Sequence, residues 1–172
     1  QSGAQLDALS ETVTGRANPA VWLAQLAIRA PLTSSEQLDL ARAQCEATRA
    51  FVRQGSLVTL TEQTERSELR VLPAPGCVTP GGCAPDYVPP VFGDPRQAGA
   101  IYLNGLDTGL ASRLPAVLTG QCLRRGWAGS HLQTIMAAEG PAAAGLARRL
   151  NCSTTLTRGW PLYAEEMLHK AG

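Results

Sequence analysis

The placement of glycine and proline constrains this chain more than any other feature. The stretch 34–54 contains neither residue, whereas 73–99 meets one or the other every few positions, from Pro73 through Pro80, Pro89 and Pro90 to Gly99. Proline fixes φ and removes a backbone donor, and glycine gives up more conformational freedom than any other residue when it is ordered. A long regular element across 73–99 is therefore excluded. We read that stretch as a covering loop anchored by Tyr87, Val88, Val91 and Phe92, within one domain spanning 1–172. Helical sequence flanks it on both sides.

The flanks carry explicit helix punctuation. Residues around Leu6 and Leu9 suit a short leading helix. Asn18-Pro19 opens a helix over Ala20 to Ala30, which Pro31 ends. Thr33-Ser34-Ser35-Glu36 has the form of a capping box, and the helix it opens runs to about Gln54, with Gly55 as its C-terminal cap. Leu57 to Thr61 and Leu69 to Leu72 read as strands joined by the polar run Glu62 to Glu68, and Ala100 to Leu103 completes a small sheet. Leu114-Pro115 opens the next helix, Gly126 and Gly129 bend it, and Ser130 caps a continuation that Gly140-Pro141 breaks. Pro141 to Asn151 is a short helix, and Pro161 starts the last one. The expected class is α+β, mainly helical, with a small antiparallel sheet and the Pro/Gly-rich loop.

Charge and composition narrow the function classes. With 15 basic and 14 acidic residues the net charge is +1, which offers no electrostatic footprint for nucleic acid. No apolar run approaches the roughly 20 residues of a membrane-spanning helix. Aromatic residues are 5% of a chain that is 44% hydrophobic, so the core must come mostly from Ala, Leu and Val. The Ala, Gly, Arg and Pro content suits a GC-rich bacterial source. The chain starts at Gln1, which we take as a processed or trimmed end.

Five cysteines leave one unpaired if disulfides form. Cys77 and Cys83 flank a loop able to turn back on itself, and Cys122 and Cys152 bracket a helical hairpin, so both pairs are possible bridges. Cys45 sits inside a helix and reads as a small buried apolar residue. The alternative is five reduced thiols in the cytoplasm; bridged cysteines instead place the protein in the periplasm, the cell envelope or outside the cell.

Two segments in the last third carry the functional signal: Trp127-Ala128-Gly129-Ser130-His131-Leu132-Gln133 and Arg158-Gly159-Trp160-Pro161-Leu162-Tyr163-Ala164-Glu165-Glu166. They resemble the signature pair of a bacterial family, domain-of-unknown-function family 885, whose members look like zinc-dependent peptidases and are distantly similar to helical carboxypeptidases of the thermostable type. The family pattern is His-Glu-x-x-Pro-Gly-His-His-Leu-Gln followed by Glu-Gly-Trp-Ala-Leu-Tyr-Ala-Glu. Upstream, Arg49 to Val52 with Leu57 to Leu60, Ala84 to Pro90, and Gly99 to Asn104 resemble further family segments in the same order. The likeness runs from about Ser35 to Gly172. Family members are longer, with helical sequence on both sides.

Aligned on His131-Leu132-Gln133, the family's ligand positions are degenerate. Arg124 and Arg125 stand for the first His and its Glu, Ser130 for one of the paired His, and Arg158 for the later Glu. Zinc takes lone-pair donors, usually three from the protein and one water, whereas guanidinium has no acceptor and stays charged. The carboxylate that would activate a metal-bound water is gone as well. The resemblance therefore implies a scaffold without catalytic residues and without zinc or another cofactor. His131, Glu165, Glu166 and His169 form a weak substitute ligand set, because Glu165 and His169 at helical spacing more often make a solvated pair. Arg124, Arg125 and Arg158 with His131 and Tyr163 form a candidate binding set for a small anion, although Arg124 and Arg125, adjacent on a helix, point about 100° apart. Trp127 and Trp160 read as core anchors, and Tyr163 as a packed residue or a pocket lining. Ser112, Ser130 and Ser153 lack a nucleophile elbow, and no phosphate-binding glycine loop occurs.

The expected function is thus a non-catalytic metallopeptidase-like protein acting through a protein partner or a homo-oligomer. The argument for assembly is that a shortened scaffold exposes apolar faces such as Leu118, Ile135, Leu146 and Leu168. Two alternatives stand beside it: a zinc-dependent peptidase or amidase completed by another chain or segment, and an anion or small-ligand binder at the former active site.

Overall fold

A computed structural model describes residues 2–15, 32–55, 58–74, 86–90, 98–103, 114–139 and 153–171. The expected helix over Ala20 to Ala30, the short helix over Pro141 to Asn151, and Cys77, Cys83, Val91, Phe92, Leu146 and Cys152 lie outside them. The described residues are mainly helical, with one three-stranded sheet.

The helices begin where local chemistry dictates. The leading helix α1 is Ser2–Thr14. In α2, Ser34–Gln54, the capping box forms as expected: the Glu36 backbone N–H donates to Thr33 Oγ1 at 3.3 Å, and the Thr33 N–H donates to Glu36 Oε2 at 2.7 Å. Gly55 closes the helix through its N–H to Phe51 O, in a right-handed conformation. The buried residues Gln37, Ala41, Cys45, Thr48 and Val52 recur every three or four positions, which is one face of a helix.

The middle of the chain departs from the sequence reading. Val58 to Leu60 is not a strand; Val58 and Leu60 instead pack, half-buried, against the cluster of Val52, Ala128, Leu132 and Ala164. The polar run does not turn a hairpin but forms a short helix, α3, Glu62–Arg66. Thr61 caps it by accepting from Thr64 N, and Glu62 pairs with Arg66 one turn on. Acidic residues early and a basic residue late suit the helix dipole, so a charge pattern that resembled a loop is a helix signal.

The sheet is mixed rather than antiparallel. Strand β1, Leu69–Pro73, pairs in parallel with β3, Gly99–Leu103, and β2, Asp86–Val88, pairs antiparallel with the other edge of β3. Parallel neighbours need a crossover, which here is the Pro/Gly-rich stretch, and β2 forms on the way. Tyr87 packs as expected, whereas Val88 is exposed. The central strand β3 is almost wholly buried, with Ile101 at its middle.

Helix α4, Pro115–Arg125, opens with Pro at its start and buries Leu118 and Cys122. It stops at Gly126, and α5, Ser130–Glu139, starts after one turn. Ser130 does not cap forward; its hydroxyl donates back to Arg124 O at 3.2 Å and ties α5 to the end of α4. The last helix, α6, Thr154–Ala171, starts seven residues before Pro161 rather than at it. Pro161 removes the amide that would serve the Thr157 carbonyl. The turns preceding it, 154–159, are exposed, so solvent can take that amide's place.

Helix α2 packs on α4 and β1, and α6 packs on α4 and α5. One apolar cluster joins Ala41 and Cys45 of α2 to Val71, Ile101, Leu103, Leu118 and Cys122, and a second joins Val52 to Ala128, Leu132 and Ala164. Leu118 and Ile135, expected on exposed faces, are buried, and Leu168 is half-buried. The exposed large apolar residues among those described are Val88, Leu156, Leu162 and Tyr163.

Candidate functional site

His131 is fully buried, on the first turn of α5. Two rings meet it edge-on: Trp127 at 4.9 Å and Tyr87 at 5.7 Å between centroids. A third side is backbone, because a Cβ on Gly99 would lie 2.7 Å from His131 Nδ1. Glycine at the first position of β3 thus leaves room for the ring.

Both ring nitrogens are in use. Tyr87 Oη lies 3.1 Å from Nδ1 and Ser67 Oγ lies 3.3 Å from Nε2. A neutral imidazole carries one ring proton, so one nitrogen donates to its hydroxyl and the other accepts from its own.

Arg49 sits beside this network. Its guanidinium lies over the Trp127 ring at 4.7 Å, and Nη2 donates to Glu65 O at 2.8 Å and Ser67 O at 3.5 Å. Arg49 thereby ties α2 to the end of α3, while Ser67 and Tyr87 tie α3 and β2 to α5. Among the described residues, Arg49 Nε and Trp127 Nε1 are buried donors that meet no acceptor.

The order Ser67, His131, Tyr87 has the outline of nucleophile, base and orienting group, but its electrostatics oppose that chemistry. Burial, and then the charge of Arg49, push the His131 imidazole down to about 4. Burial pushes the Tyr87 phenol up, so a neutral hydroxyl stands where a triad has a carboxylate to stabilise imidazolium. Taking a proton from Ser67 would create a cation in an apolar site next to another cation. The arrangement holds His131 neutral.

The same facts bear on zinc. A metal-bound imidazole uses one nitrogen for the metal, and here both serve protein hydroxyls. Among the described residues no three His, Cys, Asp or Glu side chains are grouped to hold a metal ion. The donor set around His131 does not fit zinc.

The other sequence-derived site residues lie elsewhere. Arg124, Arg125 and Arg158 are exposed, so they do not surround the buried His131. Arg124 pairs with Glu165 through Nε to Oε2 at 2.5 Å, and Glu166 pairs with Lys170 at 2.6 Å. Tyr163 is not packed: it is 58% exposed, its ring 5.9 Å from Trp160. Trp160 does anchor the two motif segments, its indole N–H donating to Ala128 O at 3.0 Å. Glu165, Glu166 and His169 line an open groove of about 640 Å³ between α4 and α6, floored by Ala116, Gly120 and Leu123.

Cys122 is a free buried thiol in the same cluster as Cys45, and Cys152, the partner expected for it, lies outside the described residues. The sequence does not point to Ser67, Arg49, Tyr87 or Gly99 as neighbours of His131. Tyr87 reads as a packing residue of the loop and Gly99 as the edge of a strand segment, whereas Ser67 follows a polar run with no pattern of its own.

No protein-family model, curated protein or solved structure matches this chain.

Proposed function

We propose that this chain is a non-catalytic, metallopeptidase-like protein that acts by binding a protein partner or by self-assembly. The observation that carries the non-catalytic half is the placement of His131: buried, neutral, and with both nitrogens committed to Ser67 and Tyr87. The order of the motif segments supports the metallopeptidase-like frame, in which this His takes a position that would otherwise hold a ligand. The outer side of α6 supports the binding half. Leu156 and Tyr163, seven residues apart, lie on one side of the helix, and both are more than half exposed. Gly159 between them has nothing within 4 Å of where a Cβ would stand. Exposed aromatic and aliphatic side chains aligned on one helix are the usual anchor of a helix-mediated contact. An envelope or extracellular location belongs to this proposal.

Metal analysis and light scattering test it together. The expected outcome is substoichiometric zinc after purification without chelator, no chelator-sensitive peptidase activity, and a mass above the monomer at micromolar concentration. Zinc near one equivalent with chelator-sensitive cleavage would establish the peptidase alternative instead. A clean monomer that also fails to recover a partner by cross-linking in its native host would remove the binding half.

A further inference from the structure

The pair Cys45 and Cys122, both free thiols buried in the core, has no part in the proposed function. Cys45 lies on α2 and Cys122 on α4, both within one apolar cluster, and they are 3% and 0% exposed. Both are free thiols. Their approach has a local cause. Helix α4 ends at Gly126, whose N–H donates to Cys122 O at 2.7 Å. A Cβ at Gly126 would lie 2.5 Å from Cys122 O and 3.6 Å from Cys45 Sγ. Missing side-chain bulk at this corner lets Cys45 of α2 reach the end of α4 that carries Cys122.

We propose that Cys45 and Cys122 are a modification site: a buried dithiol that low-molecular-weight disulfides oxidise to an intramolecular bridge, locking α2 to α4. One of the two, as the thiolate, attacks one sulfur of the small disulfide, forming a mixed disulfide and releasing one thiolate. Its neighbour then gives up its proton, attacks the protein sulfur of the mixed disulfide and displaces the second small thiolate. The protein loses two protons and two electrons, and one small disulfide gains them to become two thiols. Both sulfurs are covered, so exchange proceeds through opening of the Gly126 corner and is slow relative to an exposed thiol.

The test uses the full chain with oxidised glutathione under native conditions, followed by acid quench, alkylation and trypsin. Cys45, Cys122 and Cys152 fall in separate tryptic peptides, so the linkage is read directly by mass. The expected product is the 43–49 peptide joined to the 114–124 peptide, with Tm raised by about 5 to 10 °C and returned to its starting value by dithiothreitol. The Cys45→Ala chain should show no such rise. The wild-type peptide map decides the matter even if that variant folds poorly. Recovery of Cys45 and Cys122 as separately alkylated peptides, or of Cys122 joined to Cys152, would overturn the proposal. Either result leaves the protein-binding reading untouched.

Discussion

His131 and the outer side of α6 derive from two adjacent motif segments and meet opposite fates. The first segment turns inward. His131, the most polar residue of its turn, is buried and specified by four neighbours, Ser67, Tyr87, Trp127 and Gly99. The second segment buries only its small apolar residues, Pro161 and Ala164, whereas the large Leu162 and Tyr163 face solvent. Polar inside and apolar outside inverts the ordinary rule. The inversion teaches that the two segments answer to different demands. A buried, fully hydrogen-bonded polar group defines one arrangement of the elements that hold it, whereas exposed apolar surface stabilises nothing in the isolated chain and gains its value only on contact.

The sharpest way to break this contrast is to delete the buried ring. His131→Ala removes the packing against Trp127 and Tyr87 and leaves two buried hydroxyls without their partner. It should cost about 4 kcal/mol, read as a lower urea midpoint. A loss below about 1 kcal/mol would mean that the network does not organise the fold.

Acid probes the same group without mutation. His131 is held at about 4 in the fold against an ordinary value of 6.5, so between those values the unfolded chain binds a proton that the folded chain refuses. The stability associated with His131 is present in full above pH 6.5 and is lost as pH falls toward 4, by about 3 kcal/mol in total. Urea titrations across this range should show that slope, and His131→Gln should flatten it. Equal slopes in the two proteins would contradict a neutral buried imidazole.

Gly99→Ala asks how tightly the backbone closes on the ring. A methyl 2.7 Å from Nδ1 forces His131 or β3 to move, at about 2 kcal/mol, with a changed chemical shift of the His131 ring by NMR. The smallest effect belongs to the outer side of α6. Leu156→Gln with Tyr163→Gln should change stability by less than about 0.5 kcal/mol while abolishing any higher-mass species in light scattering. Loss of stability without loss of association would reverse the roles assigned to the two segments.

Much of the local structure was legible in the residues. Thr33 and Glu36 announced α2, Leu114-Pro115 announced α4, and the α+β, mainly helical class followed from where glycine and proline fall. Misreadings arose where local preference was weak. Leu57 to Thr61 has strand-like residues, but Val58 and Leu60 gain more by packing on the Val52 cluster. Thr61 with Glu62, Glu65 and Arg66 is a capped helical turn once its charges are read by position. Pro161 suggested a helix start, yet α6 tolerates it mid-helix beside exposed turns.

The sequence alone determined the residue types in and beside these two segments: Arg124, Arg125, Ser130 and Arg158, His131 among them, and helix punctuation on either side. Only the tertiary structure decided what that histidine does, because its partners Ser67, Tyr87 and Gly99 come from segments more than thirty residues away in the chain. It likewise turned the guanidinium groups outward and brought Cys45 to Cys122. The physical reason is that capping and chain stiffness act within a turn or two and are written locally. Burial, proton affinity and the partner of a hydrogen bond depend on what distant segments bring to the same point in space.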